Sequence, residues 1–293
     1  MKLYRWRGAV RNFGDELNAL LWPRLLPGLF DDDDAVLFLG IGSVLDARHS
    51  AAVTKLVAGA GYGGYQKPAT LDAHWLIHWV RGPRTALLLG LPASRGLGDP
   101  AMLLPLAGWH GTGSGTAVGF MPHFESLAHG AWGDTAAAAG VELIDPRGDP
   151  AGIIEAIGRC RLLLCEAMHG AIVADALRVP WVALRPMASV HHAKWGDWAD
   201  ALGMEVAFQP LTASSLSEWL DASRVATWHH GRHMLRVARP ALERCRFVHA
   251  AARALRRAAR VPPQLSSAAA LDRCQSRMLE RLDALRRDPL RVA

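Results

Sequence analysis

The sequence predicts an α/β fold of parallel strands followed by terminal helices, and three observations carry that expectation. Short apolar runs alternate with segments of helical periodicity, glycine-bearing polar turns follow the runs, and strand signals stop near Trp228, where Ala, Arg and Leu recur at helical spacing. The first unit sets the pattern: a strand at 3–6, a polar loop with Gly8, Asn12 and Gly14, then a helical stretch at 16–22. The acidic run at 31–34 reads as a solvated loop before a strand at 35–39, and Gly40-Ile41-Gly42-Ser43 forms the next turn. Further strands are expected at 74–80, 116–121, 142–144, 161–165 and 181–184, with helices between most of them. The connection AGWHGTGSG after Leu106 is the most glycine-rich in the chain and marks a boundary between units 1–110 and 111–230. Residues 231–293 form a basic helical tail broken at Pro262-Pro263.

At 293 residues and 51% hydrophobic, the chain can bury a substantial core. Its longest apolar stretch, 35–45, is too short to cross a bilayer and contains two glycines, so no transmembrane helix is expected. The N-terminal MKLYRWRGAVRNFGDE carries charges where a signal peptide needs apolar residues, which points to a cytoplasmic protein. Cys160, Cys165, Cys245 and Cys274 have no zinc-ligand spacing and read as buried free thiols. The net charge of +6 is uneven: residues 224–293 carry 16 Arg or Lys against 5 Asp or Glu, and residues 1–223 carry 17 against 22. Such a tail suits anionic lipid or a solvated helical face; without interleaved aromatics or a nucleic-acid-binding motif it does not suggest nucleic acid.

The stretch CEAMHG at 165–170 falls between a buried strand and a helix, at a strand's carboxyl end, where open α/β sheets bind ligands. The helix start offers unpaired N–H groups to a phosphate or carboxylate, and Gly170 allows close approach. His169 is a candidate acid or phosphate partner, and Glu166 could orient it or bind a sugar hydroxyl. A capped helix with a structural histidine is the plainer alternative. Arg81, after another strand, offers a forked donor for phosphate or carboxylate, although a surface arginine would read the same. Asp99 reads as a helix N-cap, and His123 follows a strand of the second unit, facing the same cleft as His169. Asn12 and Asp15 form a polar turn that could hold an acceptor, or Asp15 could cap the next helix. His229 and His233 stand one helical turn apart beside His230, but the carboxylate that a zinc protease needs is absent, so no metal is expected.

Taken in order, NFGDELN at 12–18, GIGSVL at 40–45, VRGPRT at 80–85, GDPAMLLP at 98–105, MPHFES at 121–126 and EAMHGAIVADALRVPWVAL at 166–184 resemble the polysaccharide pyruvyl transferase family. The likeness is to the bacterial enzymes that install pyruvate ketals on exopolysaccharides such as succinoglycan and xanthan. It covers about two thirds of the chain and leaves out the basic tail. Many members have Ser or Arg before a Leu-His-Gly core where this chain has Glu166-Ala167-Met168-His169-Gly170.

The resemblance implies two Rossmann-like domains facing a cleft, as in B-type glycosyltransferases, with an acceptor side at 1–110 and a donor-phosphate side at 111–230. It implies phosphoenolpyruvate as co-substrate, with no cofactor and no obligatory metal. On that reading Arg81 and the helix start at Gly170 hold the donor, with Glu166 and Arg185 beside them. His169 and His123 move protons, and Asn12 and Asp15 face the sugar. The acceptor would be a lipid-linked oligosaccharide or polysaccharide at the inner face of the cytoplasmic membrane, which the basic tail would meet. A nucleotide-sugar glycosyltransferase of similar architecture and a non-catalytic carbohydrate-binding relative are the alternatives.

Overall fold

Strands covered on both faces read as continuous apolar runs, and the runs VLFL, CRLLLC and WVAL lie within two all-parallel sheets. The computed structural model describes residues 1–112, 115–187, 191–222 and 240–291. In the first sheet β1 (Lys2–Leu3), β2 (Val36–Leu39), β3 (Thr54–Ala58) and β4 (Trp75–Trp79) lie side by side in chain order. Helix α1 (Phe13–Leu25) joins β1 to β2, and α2 (Pro83–Leu88) follows β4. A 3-10 segment, Pro100–Ala107, then leads to the second sheet, in the order β6-β5-β7-β8-β9. Its strands are β5 (Ala117–Met121), β6 (Glu142–Leu143), β7 (Cys160–Cys165), β8 (Trp181–Leu184) and β9 (Phe208–Gln209). Between them run α3 (Phe124–His129), α4 (Trp132–Ala139), α5 (Pro150–Gly158), α6 (Met168–Ala176) and α7 (His192–Ala201). Helices α8 (Leu216–Ala222), α9 (Pro240–Ala258) and α10 (Ala268–Arg287) end the chain.

The expected α/β class with parallel strands and terminal helices is the observed one. Two strands escaped the sequence reading. One is β3, whose TKLVA run carries a lysine; Lys55 is buried, its ammonium donating to Ser50 O and lying over the Trp75 ring, so the charge is partnered. The other is the two-residue β9. Helix α1 starts at Phe13 rather than Glu16, with Asn12 at its N-cap, so Asp15 lies inside the first turn and does not cap it. Cys160, Cys165 and Cys274 are buried free thiols as expected, but Cys245 is exposed because α9 turns it outward. His229, His230 and His233 lie outside the described residues.

One continuous core joins the sheets. Phe13, Leu17 and Leu21 of α1 belong to the same buried cluster as Met102 and Leu103, Leu163 of β7 and Ile172 of α6. Helix α6 is buried on almost every side, as its apolar MHGAIVADA sequence requires. The C-terminal helices are part of the body. Ala251 and Leu255 of α9 bury against Phe120, Leu164 and Val182, and α10 returns to the first half, where Gln275 donates to Met102 O and Arg286 to Leu25 O.

A buried ion pair pins α7 to the first sheet. Arg81, just past β4, donates Nε to Asp197 Oδ2 at 3.0 Å, Nη1 to Ser43 Oγ at 2.9 Å and Nη2 to Tyr62 O at 2.8 Å. Asp197 also accepts the backbone N–H and the hydroxyl of Thr85. Gly82 lies so close to the Asp197 carbonyl that any Cβ there would collide with backbone. Both charged groups are almost wholly out of water, so removing one strands the other. We expect Asp197→Ala to lose about 3–5 kcal/mol in denaturant unfolding; a loss below about 1 kcal/mol, as for an exposed pair, would contradict this account.

Candidate active site

In the second sheet the chain passes from β5 to the edge strand β6, then back across β5 to β7, so the connections leaving β5 and β7 diverge. Such a switch point opens a crevice at the strands' carboxyl ends. The segments that follow these two strands, His123 to Glu125 and Ala167 to His169, line a cavity of about 270 Å³, near the lower end of the about 300–1,000 Å³ usual for small-molecule sites. Loops after β1, β2 and β3 close it from the first sheet with Asn12 to Asp15, Gly42 to Val44 and Tyr65, and the segment after β8 adds His191 and Lys194.

His169, on the first turn of α6, has Nε2 3.4 Å from Asp99 Oδ2, within ion-pair range but outside hydrogen-bond geometry. The other Asp99 oxygen caps the 3-10 segment by accepting from Ala101 N at 3.0 Å, as its sequence context predicts. Gly14 of α1 lies flat under the imidazole; a Cβ there would collide with Nδ1. His169 thus has a buried carboxylate behind one ring nitrogen and lines the cavity with the rest of its ring.

Glu166 does not reach the cavity. It is 1% exposed, with Oε2 accepting from His123 N at 2.8 Å and Oε1 from Ser126 Oγ at 2.8 Å and Met187 N at 2.9 Å. One carboxylate therefore ties together the segments after β5, β7 and β8. Burial pushes its carboxyl up, and its three donors oppose that rise.

The expected site residues thus divide. His169, His123, Asn12 and Asp15 come together at the cavity, while Arg81, Glu166, Gly170 and Arg185 do not. Arg81 is fully buried in the contacts described above. Gly170 lies against Met121 Sδ, which explains the glycine by packing and not by ligand approach. Arg185 is exposed and rests over the Phe208 ring. His123 is 6% exposed, and burial pushes its imidazole down to about 2, so the ring is neutral at physiological pH. Asp15 accepts from Asn12 Nδ2 at 2.6 Å, and burial raises its carboxyl.

Sequence reasoning missed the cavity's ammonium. Lys194 has one long hydrogen bond among the described residues, to Tyr65 Oη at 3.5 Å. Desolvation first, then the nearby Arg81, lowers it to about 8, against Asp15, Glu125 and Glu166, which favour its charge. Its signal was present in the sequence as a cation on a helix following a strand's carboxyl end, but many surface lysines share that context. His191, Glu125 and Tyr65 were missed as well. The ligand atoms of His123, Glu125 and His191 lie within 4.8 Å of one another, a donor set that could hold a transition metal, although the Lys194 charge felt at His123 opposes a cation there.

Replacing Glu166 with Gln tests the tie between loops. Either amide orientation turns an NH₂ toward a backbone N–H, of His123 or of Met187. We expect a loss of about 1–3 kcal/mol in thermal or denaturant unfolding; an unchanged midpoint would remove Glu166 from this role.

No family model matches the chain, and no solved structure matches it. It is similar to "Succinoglycan biosynthesis protein ExoV" of Rhizobium meliloti (strain 1021), 40% identical over 221 residues that cover 74% of this chain and 70% of the relative. Identity at that level over most of both sequences, on a stretch long enough to hold the motif series from Asn12 to Leu184, establishes that the chain belongs to the polysaccharide pyruvyl transferase family.

Proposed function

We propose that the protein transfers pyruvate from phosphoenolpyruvate to a sugar of an exopolysaccharide repeat unit, forming a pyruvate ketal and releasing phosphate. The observation that carries the reading is a convergence at the switch point. The start of α6, where Ala167 supplies no side-chain cap, the Lys194 ammonium and the Asp99-backed His169 all border one cavity. A small dianionic or trianionic donor suits an uncapped helix start and an ammonium. Enol protonation suits an imidazole whose far nitrogen faces a buried carboxylate.

In this reading Lys194 and the α6 N–H groups hold the donor's phosphate and carboxylate, and His169 delivers a proton. His123, neutral, contributes a hydrogen-bonding wall. Asn12 and Asp15 approach the sugar from the first sheet, which would make the two sheets the acceptor and donor halves of a B-type glycosyltransferase arrangement. Arg81 and Glu166 act at one remove by fixing the segments that carry these groups. The relative's role in succinoglycan biosynthesis supports an oligosaccharide acceptor. No helix among the described residues is long and apolar enough to cross a membrane. We assign contact with anionic lipid to the exposed arginines of α9, among them Arg253 and Arg257, opposite its buried Ala251 and Leu255 face.

The decisive assay incubates the protein with phosphoenolpyruvate and a bacterial lipid-linked oligosaccharide pool, with and without chelator, in neutral and in anionic vesicles. Phosphate release with the mass gain of one ketal, undiminished by chelator and faster on anionic vesicles, is expected. Thermal stabilisation by a nucleotide sugar but not by phosphoenolpyruvate would replace the reading with a glycosyltransferase.

The ammonium gives a pH signature. Lys194 is protonated below about 8 and loses its charge as pH rises through that value, so affinity for the anionic donor should fall there, by at most about tenfold per pH unit. Calorimetric titration with phosphoenolpyruvate from pH 6.5 to 9.5 reads this directly. Lys194→Met should bind more weakly at pH 7 and lose the decline; a variant that keeps the wild-type profile would assign the decline to another group.

A further inference from the structure

Ketal formation from an enol phosphate has a fixed proton balance. Two hydroxyl oxygens bond to the central carbon, the bond from that carbon to the phosphate oxygen breaks, and the two hydroxyl protons leave. One becomes the third hydrogen of the new methyl group, and the other departs with the phosphate. The His169–Asp99 pair is one proton station, and the cavity borders a second that the proposed function does not use.

Tyr65, from the glycine-rich loop after β3, lines the cavity at 44% exposure. Its Oη lies 3.0 Å from His191 Nδ1, and His191 Nε2 lies 2.9 Å from Glu125 Oε2. His191 is only 4% exposed, and its ring is held between the edge of Tyr65 and the face of His123, whose centroid is 4.1 Å away. The array therefore runs from the cavity through a phenol and a buried imidazole to a half-exposed carboxylate, with the Lys194 ammonium 3.5 Å from the phenol oxygen. Tyr65 comes from the first sheet, and His191 and Glu125 come from the second.

We propose that Tyr65 is a catalytic residue that accepts a proton from a hydroxyl of the acceptor sugar while passing its own to His191, the resulting imidazolium being balanced by Glu125. The proposal rests on the pyruvyl transfer reading: His169 gives its proton to the methylene carbon and regains one from the second hydroxyl, while the first hydroxyl's proton, held by the relay, returns through Tyr65 to the departing phosphate. His191 then carries its resting proton on Nε2, toward Glu125, and receives the transferred one at Nδ1. Burial holds the phenol up to about 12, so Tyr65 carries its proton at rest and the transfer is an exchange rather than attack by a standing phenolate. His191 and Glu125 act through Tyr65 and are positioning residues.

The test uses the full chain with phosphoenolpyruvate and a lipid-linked oligosaccharide acceptor. Tyr65→Phe keeps the ring against His191 and deletes only the hydroxyl. Turnover should fall about 100-fold or more, while the thermal midpoint is unchanged and the affinity for phosphoenolpyruvate stays within about twofold of wild type. Glu125→Gln should cost about tenfold, and the double variant should be no slower than Tyr65→Phe, because members of one relay fail together. Losses that multiply in the double variant would reduce these residues to separate structural roles and overturn the relay. So would Tyr65→Phe turnover within threefold of wild type, or a stoichiometric zinc ion that copurifies and is lost in His191→Asn. A wild-type protein that releases no phosphate overturns the functional reading and the relay with it. An active wild type with an unimpaired Tyr65→Phe overturns the relay alone.

Discussion

The buried contact between Arg81 and Asp197 is the constraint on which the cavity depends. It joins the end of β4 to the middle of α7, and it draws Ser43, Tyr62 and Thr85 into the same hydrogen-bonded group. Helix α7 carries Lys194 and follows His191 directly, so the pair that holds Asp197 also places the cavity's ammonium and the imidazole beside it. Arg81 is wholly buried, bonded inside the protein through all three of its nitrogens and absent from the cavity wall, but its charge is felt at Lys194. Its influence on chemistry is thus electrostatic and positional.

Carboxylates near the cavity illustrate how burial divides one residue type among tasks. Glu166 is buried beneath three donors and serves as a knot between strand ends. Asp99 is equally buried, but its Oδ2 has no hydrogen-bond partner among the described residues and lies 3.4 Å from His169 Nε2. Asp15 lies at the cavity wall, its carboxylate accepting from Asn12, and desolvation raises its carboxyl. Glu125 remains half exposed, and its bond to His191 lowers it. At Glu166 and Asp15 burial outweighs the donors and raises the carboxyl, whereas at half-exposed Glu125 the bond to His191 outweighs burial.

The alternation of strands and helices was readable because parallel strands buried on both faces have few ways to be polar. β2, β7 and β8 lie where their apolar runs are, within a residue at each end. β3 was hidden because Lys55 interrupts its run, and the carbonyl of Ser50 and the ring of Trp75 help make that lysine tolerable inside. Missing β3 also hid Tyr65, since the loop GYGGY gains meaning only as the sequel to a strand. At the site the residues alone left His169 open between a ligand-facing histidine and a structural one at a capped helix, and the structure brings it to the cavity. Arg81 and Glu166 were site candidates for the same residue chemistry, because buried charge networks and binding sites call for the same residue types.

By itself the sequence determined the class of fold, the motif series that ties the chain to its family, and the polar residues available at strand ends. Those properties are local, set by the periodicity of burial and by the turn chemistry of short segments. Which of the polar residues meet was decided by the tertiary structure alone. The crossing from β6 back to β7 opens the crevice, and the Arg81–Asp197 pair ties to the first sheet the helix whose start brings Lys194 to the cavity. Side chains such as Tyr65 and His191, 126 positions apart, come within hydrogen-bonding distance only when the two sheets share one core. Contacts at that separation leave no periodic trace in the chain, because the free energy that selects them comes from packing and desolvation in three dimensions.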